Sequence, residues 1–380
     1  MPRKRIVCVY GTRPEAVKMA PIIQRLRKEN WVELRTLFTG QHRELASEVM
    51  ADFGIDADTS LNVMAPDQTL TGLTAKLLQA LEPQLQHEKP DMMIAQGDTT
   101  TVMTVALACF YQKIPFAHIE AGLRTGDMQN PFPEEFNRVV CGRLASLHFA
   151  PTRSAAEALL KEQVPKEQIM IVGNTVIDAL FGLPETALEA PWQTREDRRL
   201  ILMTVHRREN FGEPLARILS AVRDIVDTHD NVEVLLPVHP NPNVERTVRD
   251  MLGSRERIHL CSPLPYRQFT AALRQAYLVI TDSGGVQEEA PALGKPVVVT
   301  REQTERPEAV EAGVAVLAGT QYKRIYDVLN MLLTDQKAYR RMALGGSPYG
   351  DGKAAERIVD ALRHYFDISA RRETEDFVEL

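Results

Sequence analysis

Apolar runs recur along the whole chain, and stretches with helical spacing separate them. The runs lack the polar alternation of half-exposed strands, so they predict strands that are buried on both faces of a sheet. Helices between such strands supply the crossovers that parallel pairing needs. The pattern therefore predicts an α/β protein with two Rossmann-like doubly wound domains. The twelve predicted strands are 6–10, 34–38, 92–95, 116–119, 147–150, 169–172, 200–204, 232–237, 258–261, 278–281, 297–299 and 314–317.

The break between the two domains is predicted between about residues 170 and 200, where prolines and a run of charged residues form a connector at 184–199. We set the N-terminal domain at 1–172 and the C-terminal domain at 173–353. A final helix is predicted at about 354–366. The polar tail that follows, 370–380, is expected to be poorly ordered.

Composition, charge and the positions of the cysteines argue against several classes of protein. Of the 380 residues, 44% are hydrophobic and 25% charged, and the net charge of −6 comes from interspersed acids and bases, so no basic stripe indicates a nucleic-acid partner. The run of apolar residues after the basic N-terminus is too short for a signal peptide, and no window is apolar enough for a membrane span. The cysteines are far apart and lie in apolar contexts, as buried free thiols of a reducing compartment do. We therefore predict a cytoplasmic protein. The four cysteines are Cys8, Cys109, Cys141 and Cys261.

A strand-to-helix turn at Asp282-Ser283-Gly284-Gly285 is the first candidate binding site. Two glycines let the backbone approach a ligand closely, and the amides of the first helical turn carry partial positive charge, so the turn suits a phosphate. Glu289 follows about one and a half turns later and could accept hydrogen bonds from two ribose hydroxyls. The segment indicates a site for a sugar nucleotide diphosphate, although a turn closed by glycines for steric reasons would look the same.

The chain start repeats this arrangement. A strand ends at Gly11-Thr12, and a helix with an early proline follows, so that Arg13 and Lys18 lie near its N-terminus. Cations at that end of a helix oppose the macrodipole unless an anion is bound between them. The alternative is that both are ordinary solvated charges.

Polar residues also follow other predicted strands, at the sheet edge where doubly wound folds bind ligands. Asp98, Glu120 and one of Glu134 or Glu135 could converge on one cleft edge. His206 and His239 follow strands of the second half in the same way. Three simpler interpretations stay open: Asp98 as a helix N-cap, Glu135 with Arg138 as a local ion pair, and the histidines as ordinary loop residues.

Eight motifs follow one another in a fixed order along nearly the whole chain. They are Gly11-Thr12-Arg13-Pro14-Glu15-Ala16, Gly97-Asp98-Thr99-Thr100, Glu120-Ala121-Gly122-Leu123-Arg124, Pro133-Glu134-Glu135, His206-Arg207-Arg208-Glu209-Asn210, Asp282 to Glu289, Glu305-Arg306-Pro307-Glu308 and Pro348-Tyr349-Gly350-Asp351-Gly352. Through these motifs the chain resembles the non-hydrolysing UDP-N-acetylglucosamine 2-epimerases of bacteria. The resemblance implies two domains of the GT-B type facing each other across a cleft, with the nucleotide held by the C-terminal domain and the sugar in the cleft. It also implies that the segment at about 354–380 packs back on the first domain and that the protein is a homodimer.

Site residues carry over from the family by position. The implied catalytic residues are Asp98, Glu120, Glu135 and His206. The implied UDP contacts are Arg13, Lys18, Phe269, Ser283, Gly284, Gly285, Glu289 and Arg306, with Phe269 near the uracil. A second UDP-N-acetylglucosamine, bound as an activator, would contact Gln41, His42, Gln68, Arg207 and His239.

This chain departs from the family pattern at several positions. Gln96 stands where many members have His, Leu264 replaces a polar residue, and Ser347 replaces Asn. Asp67 lies where activator-dependent members can have Arg, which weakens the prediction of an activator site.

The chemistry that the family implies also suits these residues. The C2 hydrogen of the sugar is not acidic until UDP leaves C1, after which a carboxylate can remove it to give 2-acetamidoglucal; proton return on the other face and recapture of UDP complete the epimerisation. Arginine and lysine would stabilise the leaving UDP, and two or more acids would serve the two faces. Neither glycine-containing turn has the G-x-G-x-x-G pattern of a dinucleotide site, and the histidines lack metal-ligand spacing, so no cofactor and no metal are predicted. The product would supply N-acetylmannosamine units for cell-surface polysaccharides.

Four other functions remain open at this stage. Within the family, they are a hydrolysing epimerase that releases free N-acetylmannosamine, and a 2-epimerase for UDP-2,3-diacetamido-glucuronate. From other classes, they are a GT-B glycosyltransferase, which has no need of clustered carboxylates, and a non-catalytic sugar-nucleotide sensor.

Overall fold

The computed structural model describes residues 2–40, 43–65, 68–183, 192 and 194–379, and of residues 43–45 the backbone alone. The chain forms two compact units. The first consists of Met1–Gly182 and Tyr349–Glu379, and the second of Leu183–Pro348.

The first unit is built on a parallel sheet of seven strands in the order β3-β2-β1-β4-β5-β6-β7. Every residue of β4 is buried, so both faces of the sheet are covered. Its strands are β1 (Lys4–Tyr10), β2 (Val32–Phe38), β3 (Thr59–Ser60), β4 (Met92–Gln96), β5 (Phe116–Ile119), β6 (Leu147–Ala150) and β7 (Ile169–Ile171). Its helices are α1 (Arg13–Leu26), α2 (Arg43–Asp52), α3 (Leu70–Glu88), α4 (Thr100–Gln112), α5 (Glu134–Leu144), α6 (Arg153–Lys161), α7 (Thr175–Gly182) and, returning from the far end of the chain, α15 (Ala354–Tyr365).

The second unit repeats the plan with six parallel strands in the order β10-β9-β8-β11-β12-β13. Buried aliphatic side chains of the strands and of the helices Glu213–Thr228 and Tyr322–Thr334 form one continuous core. The strands are β8 (Arg199–Thr204), β9 (Val232–Pro237), β10 (Ile258–Cys261), β11 (Leu278–Thr281), β12 (Val297–Val299) and β13 (Ala315–Leu317). The helices are α8 (Glu213–Thr228), α9 (Pro242–Leu252), α10 (Tyr266–Gln275), α11 (Gly284–Ala292), α12 (Pro307–Glu311), α13 (Tyr322–Thr334) and α14 (Gln336–Ala343).

Threonines begin several helices of the first unit. The Thr12 hydroxyl accepts the amide of Glu15, and the Glu15 carboxylate accepts the amide of Thr12, a capping box that starts α1 directly after β1. Thr99 caps α4 and Thr152 caps α6. These caps end the strand-to-helix turns sharply, which places the turns at the carboxyl edge of the sheet.

The structure confirms two doubly wound units and all twelve predicted strands. It adds β3, whose two residues, Thr59 and Ser60, are too few and too polar to form an apolar run.

The domain boundary differs from the one set at residue 172, because α7 belongs to the first unit. The amide of Asn174 donates to the carbonyl of Tyr349 at 2.6 Å, and Asp178 accepts the amides of Ala354 and Ala355. These long-range bonds hold 174–178 and 349–355 together within that unit.

The expectation of a poorly ordered tail is wrong for residues 370–379. The Asp360 carboxylate of α15 accepts the amides of Glu373 and Thr374, each at 2.8 Å. The amide of Phe377 then donates to the carbonyl of Ile171 on the edge strand β7, and the Phe377 ring is buried. One apolar residue and one carboxylate therefore anchor a segment whose composition is otherwise polar.

No helix in the described part of the chain is both long enough and apolar enough to cross a membrane.

Candidate active site

The candidate residues lie near the point in each sheet where the order of the strands reverses. In the first unit the strand order reverses between β1 and β4, and in the second between β8 and β11. The loops that follow these strands diverge onto opposite faces, which leaves a crevice at the carboxyl edge of a doubly wound sheet. Asp98 follows β4, and Asp282 follows β11.

Asp98 and Glu135 share one buried arginine. Arg138, three residues after Glu135 on α5, contacts Asp98 Oδ2 through Nη2 at 2.7 Å and through Nε at 2.9 Å, and Glu135 Oε2 through Nη1 at 3.2 Å. Burial alone would lower the pKa of Arg138, but the two carboxylates outweigh it and raise the pKa above the ordinary value. Arg138 is therefore a permanent cation between two acids.

Glu135 also holds the loop that precedes α5. Its Oε1 accepts the backbone amides of Thr125 and Gly126 at 3.0 and 2.9 Å, while Oε2 faces Arg138. Its side chain is 2% exposed, against 28% for Asp98. Of these two carboxylates, Asp98 is thus the one open to a ligand, and Glu135 is the one built into the protein.

Glu120 lies directly after β5 in a left-handed conformation with φ of 63°. A non-glycine residue rarely adopts this conformation unless its surroundings enforce it, and functional sites are where such residues concentrate. The Lys18 ammonium contacts both carboxylate oxygens of Glu120, at 2.6 and 2.9 Å, and the Gln96 amide donates to Oε2. Lys18, which the sequence assigned to UDP, thus pairs with a predicted catalytic acid.

Two buried groups that the sequence analysis did not assign to the site support these loops. The Glu15 carboxylate accepts the amide of Gly11 at 2.6 Å and the hydroxyl of Thr99 at 2.6 Å, which ties the turn after β1 to the residue after Asp98. Burial raises the pKa of Glu15, against the lowering effect of these bonds. The local signal for this role was the capping-box spacing of Thr12 and Glu15.

His118 supports the loop that carries Asp98. Its Nε2 donates to the carbonyl of Gly97 at 2.7 Å, and Gly97 has a φ of 91° that a side chain would strain. Burial lowers the pKa of His118 to about 4, so the imidazole is neutral near pH 7. No spacing in the sequence distinguishes His118 from the other residues of β5 or indicates its role.

In the second unit, α11 begins at Gly284 with Ser283 as its N-cap. No side-chain atom lies within 4 Å of the Cβ position that a residue at 285 would have, and at 284 the nearest atom is Nη2 of Arg306, at 4.0 Å. The Arg306 Nε donates to the buried carboxylate of Glu288. An open helix N-terminus with an oriented guanidinium beside it is the arrangement that binds phosphate.

Glu289, one residue further along α11, is buried, and its carboxylate interacts electrostatically with the Tyr266 side chain of α10. Burial, with the Glu289 charge as a further cause, raises the pKa of Tyr266 well above its ordinary range. Phe269 is half-buried one helical turn after Tyr266. The interaction of Tyr266 with Glu289 therefore relates α10, which carries Phe269, to α11.

His206 is held at the end of β8 by Asp282, a residue that the sequence analysis treated as part of a turn. Asp282 Oδ2 accepts the amides of His206 and Arg207, both at 2.9 Å, and the side-chain amide of Asn210 at 3.0 Å. The His206 Nδ1 lies 3.2 Å from Asp282 Oδ1. A fully buried carboxylate thus fixes both the loop and the ring.

The residues predicted to bind an activator are distributed over both units. The His239 ring stacks on His206 with a centroid separation of 5.7 Å, so these two lie together. Gln68 belongs to the first unit, where its Oε1 accepts the amide of Ala65. Gln41 and His42, like Asp67, lie outside the described residues.

The structure also tests the simpler interpretations of Asp98 as a helix N-cap and of Glu135 with Arg138 as a local ion pair. Thr99, not Asp98, is the N-cap of α4, so the N-cap interpretation of Asp98 is wrong. The Glu135–Arg138 ion pair exists, but it includes Asp98 as well. Arg13 is exposed at the first residue of α1.

Two units with the strand orders described above place the chain in the class of two-domain α/β proteins with the GT-B type of architecture. The family model of UDP-N-acetylglucosamine 2-epimerase matches residues 24–363. The chain therefore belongs to the UDP-N-acetylglucosamine 2-epimerase family, as the resemblance implied.

Individual relatives agree over almost the full length. A UDP-N-acetylglucosamine 2-epimerase of Yersinia pestis is 45% identical over 371 residues, which covers 95% of this chain and 99% of the relative. A Staphylococcus aureus protein solved with UDP is 40% identical, with a TM-score of 0.90 and coverage of 99% of this chain and 100% of that one. The Neisseria meningitidis UDP-GlcNAc 2-epimerase solved with UDP-GlcNAc is 40% identical, with a TM-score of 0.86 and coverage of 94% and 99%.

Proposed function

We propose that this protein interconverts UDP-N-acetylglucosamine and UDP-N-acetylmannosamine without hydrolysis, by anti elimination of UDP and re-addition through 2-acetamidoglucal. The observation that carries the proposal is the pair of carboxylate sites in the first unit, Asp98 with Glu135 on Arg138 and Glu120 on Lys18. A reaction that exchanges a proton on two faces of one carbon needs more than one acid or base.

In the first half of the proposed reaction, a carboxylate removes the proton at C2. The C2–H electron pair forms the C1=C2 double bond, and the C1–O bond breaks with its electrons leaving on UDP. In the second half, a different acid returns a proton to the opposite face of C2, and the UDP oxygen re-forms its bond to C1. Asp98, Glu120 and Glu135 are the proposed acids and bases, and His206 is the fourth proposed catalytic residue.

We assign most of the UDP contacts to the second unit. The first-turn amides at Ser283, Gly284 and Gly285 and the Arg306 guanidinium would take the diphosphate, and their positive charge would stabilise UDP as it leaves. Glu289 would accept the ribose hydroxyls, with Phe269 beside the uracil. Arg13 and Lys18 complete the proposed set, and the contact of Lys18 with Glu120 gives it a further role in holding that acid.

The remaining parts of the proposal concern partners. The S. aureus and N. meningitidis relatives were solved with UDP and UDP-GlcNAc, which supports a UDP-sugar as the substrate. We propose a cytoplasmic homodimer that works without cofactor or metal, with polysaccharide synthesis as the consumer of its product. The stacked His206 and His239 favour retaining an activator site as part of the proposal.

Proton NMR in D₂O tests the reaction directly. Wild-type protein with UDP-N-acetylglucosamine should give the manno anomeric signal and deuterium at C2 of both epimers, with no added NAD and no free sugar. Release of free N-acetylmannosamine would instead indicate the hydrolysing reaction. Turnover that appears only with a sugar acceptor would indicate a glycosyltransferase, and binding without deuterium exchange would indicate a sensor.

A second sample treated with EDTA tests the metal-free part of the proposal. The rate should be unchanged, because the proposed leaving-group site is made of arginine, lysine and backbone amides. A loss of activity that a divalent cation restores would contradict it.

A further inference from the structure

Gln96 ends β4 with its side chain buried at the base of the candidate active site. The parallel register pairs Gln96 with Ile119 of β5, so Glu120 is the next residue along the neighbouring strand. From this position the Gln96 Nε2 donates to Glu120 Oε2. The contact follows directly from the register of two adjacent strands.

The same carboxylate receives a second donor from a different element. Lys18 on α1 places its Nζ 2.6 Å from Oε2 and 2.9 Å from Oε1 of Glu120. Hydrogen bonds from an ammonium and an amide both favour the ionised form of a carboxylate, and burial strengthens them. His118 of β5 also interacts electrostatically with Glu120, and burial keeps its imidazole neutral near pH 7.

The two donors to Glu120 differ in whether they can lose a proton. The ammonium of Lys18 can lose its proton, whereas the amide of Gln96 cannot titrate at any working pH. The backbone of Glu120 is already fixed, with φ at 63° and the next amide, that of Ala121, bonded to the carbonyl of Phe149 at 3.0 Å. Gln96 therefore restrains the side chain of a residue whose backbone is held by other bonds.

We infer that Gln96 is a positioning residue for the proposed epimerisation: it orients the Glu120 carboxylate and keeps it ionised, so that Glu120 begins the cycle as a proton acceptor. The inference rests on the proposed function, because it needs Glu120 to take part in proton transfer. It goes further in assigning a starting protonation state to one of the three acids.

The first test is Gln96→Leu, which keeps the approximate volume and removes the donor. The turnover number should fall about 10- to 100-fold, the range expected when a catalytic group is misplaced by about an ångström. The affinity for UDP should change much less than the turnover number, because most of the proposed UDP contacts lie in the other unit and the substitution removes neither Arg13 nor Lys18. The acidic limb of the pH–rate profile should move to higher pH, because the ionised carboxylate has lost a donor.

Three further variants separate positioning from a general structural effect. Gln96→Glu is isosteric but places a second carboxyl against Glu120, and it should move the acidic limb further than Gln96→Leu does. Gln96→His should recover activity above about pH 7, where a neutral imidazole still offers one N–H donor. The control is Gln112→Leu, since Gln112 ends α4 with its amide on the carbonyl of Glu82, away from these residues; it should behave as wild type.

Failure of the inference and failure of the proposed function give different results. If wild type shows no C2 deuterium exchange, or if Glu120→Gln is fully active, the proposed function of Glu120 is wrong. If Glu120→Gln is impaired but Gln96→Leu keeps the wild-type turnover number and pH profile, the inference about Gln96 is overturned. Should Gln96→Leu fail to fold, as judged by circular dichroism, the comparison of Gln96→Glu with Gln96→His decides in its place: equal pH profiles would overturn the inference.

Discussion

At the scale of single residues, one arginine determines how two acids of the candidate site behave. Arg138 contacts Asp98 and Glu135 at once, and it stays charged at every accessible pH. Its positive charge offsets the repulsion between the two carboxylates that contact it. The geometry also distinguishes the two acids, because one carboxylate oxygen of Glu135 accepts hydrogen bonds from the amides of Thr125 and Gly126.

Asp98→Asn is the prediction that belongs to this scale. The amide keeps the shape but cannot accept the proton, so the rate of epimerisation should fall by about 10²- to 10⁴-fold, the contribution typical of a general acid or base. Slow proton transfer should also let 2-acetamidoglucal and UDP escape, and anion-exchange chromatography after long incubation would detect both.

The matched control is Asp227→Asn, which breaks an exposed pair with Arg255 in the second unit. Glu135→Gln should reduce the rate as well, with an added loss of stability, because it places an amide group in a buried carboxylate site. Wild-type rates in both Asp98→Asn and Glu135→Gln would remove these residues from the mechanism.

At the scale of elements, the attachment of α15 to the first unit depends on Asp178. This side chain, on α7, accepts the amide of Ala355 at 2.8 Å and that of Ala354 at 3.2 Å, so it satisfies two amides at the N-terminus of a helix distant in sequence. Ion pairs add to the attachment, including Arg363 with Glu29 at 2.7 Å. Burial nevertheless outweighs the two amides and raises the pKa of Asp178 to about 6.

The raised pKa of Asp178 predicts a pH-dependent difference between wild type and Asp178→Asn. The folded protein binds this proton more tightly than the unfolded chain, whose carboxyl has a pKa near 3.8, so protonation stabilises the fold at low pH and the effect is lost as the pH rises through about 6. The asparagine variant does not titrate. Its free energy of unfolding, relative to wild type, should therefore increase by up to about 3 kcal/mol between pH 4 and pH 7.

Urea unfolding at several pH values in this range measures that difference. Asp230→Asn, which removes an exposed carboxylate of the second unit, is the control for the loss of one charge. A difference that stays constant with pH would show that the Asp178 carboxyl titrates alike in the folded and unfolded states.

At the scale of the whole molecule, the proposal places most of the UDP contacts in one unit and the proton-transferring carboxylates in the other, and each unit has a core of its own. The residues proposed for the diphosphate turn, the ribose and the base all lie between Phe269 and Arg306 of the second unit. The carboxylates proposed for proton transfer all lie in the first. Variants of the two sets should therefore have separable effects.

Glu289→Ala should lower the affinity for UDP in the full-length protein, whereas Asp98→Asn should leave it unchanged. The loss of even one hydrogen bond to a charged acceptor costs about 1.5–3 kcal/mol, so the dissociation constant should increase by at least roughly 10- to 150-fold. Isothermal titration calorimetry with UDP measures both variants. Glu311→Ala, at an exposed position of α12, is the control, and an unchanged affinity in Glu289→Ala would place the ribose elsewhere.

The sequence by itself determined the class of fold and the turns of the candidate site. Apolar runs predicted twelve strands because a strand that is buried on both faces is apolar at nearly every position. The turn at Gly284 and Gly285 and the acids after β4 and β5 were also predicted locally, because ligand sites of doubly wound sheets follow the strands. The motifs identified the family because they are long and occur in a fixed order along the chain.

Only the tertiary structure decided which of these groups act on one another. Lys18 contacts Glu120 across 102 positions of the chain, and Arg138 contacts Asp98 across 40, so no local spacing encodes either pair. The left-handed backbone of Glu120 and the hold of buried Asp282 on His206 likewise depend on neighbouring strands that come together on folding. Periodicity records which face of an element is buried, but the partner that a buried charge finds is set by strand order, register and packing.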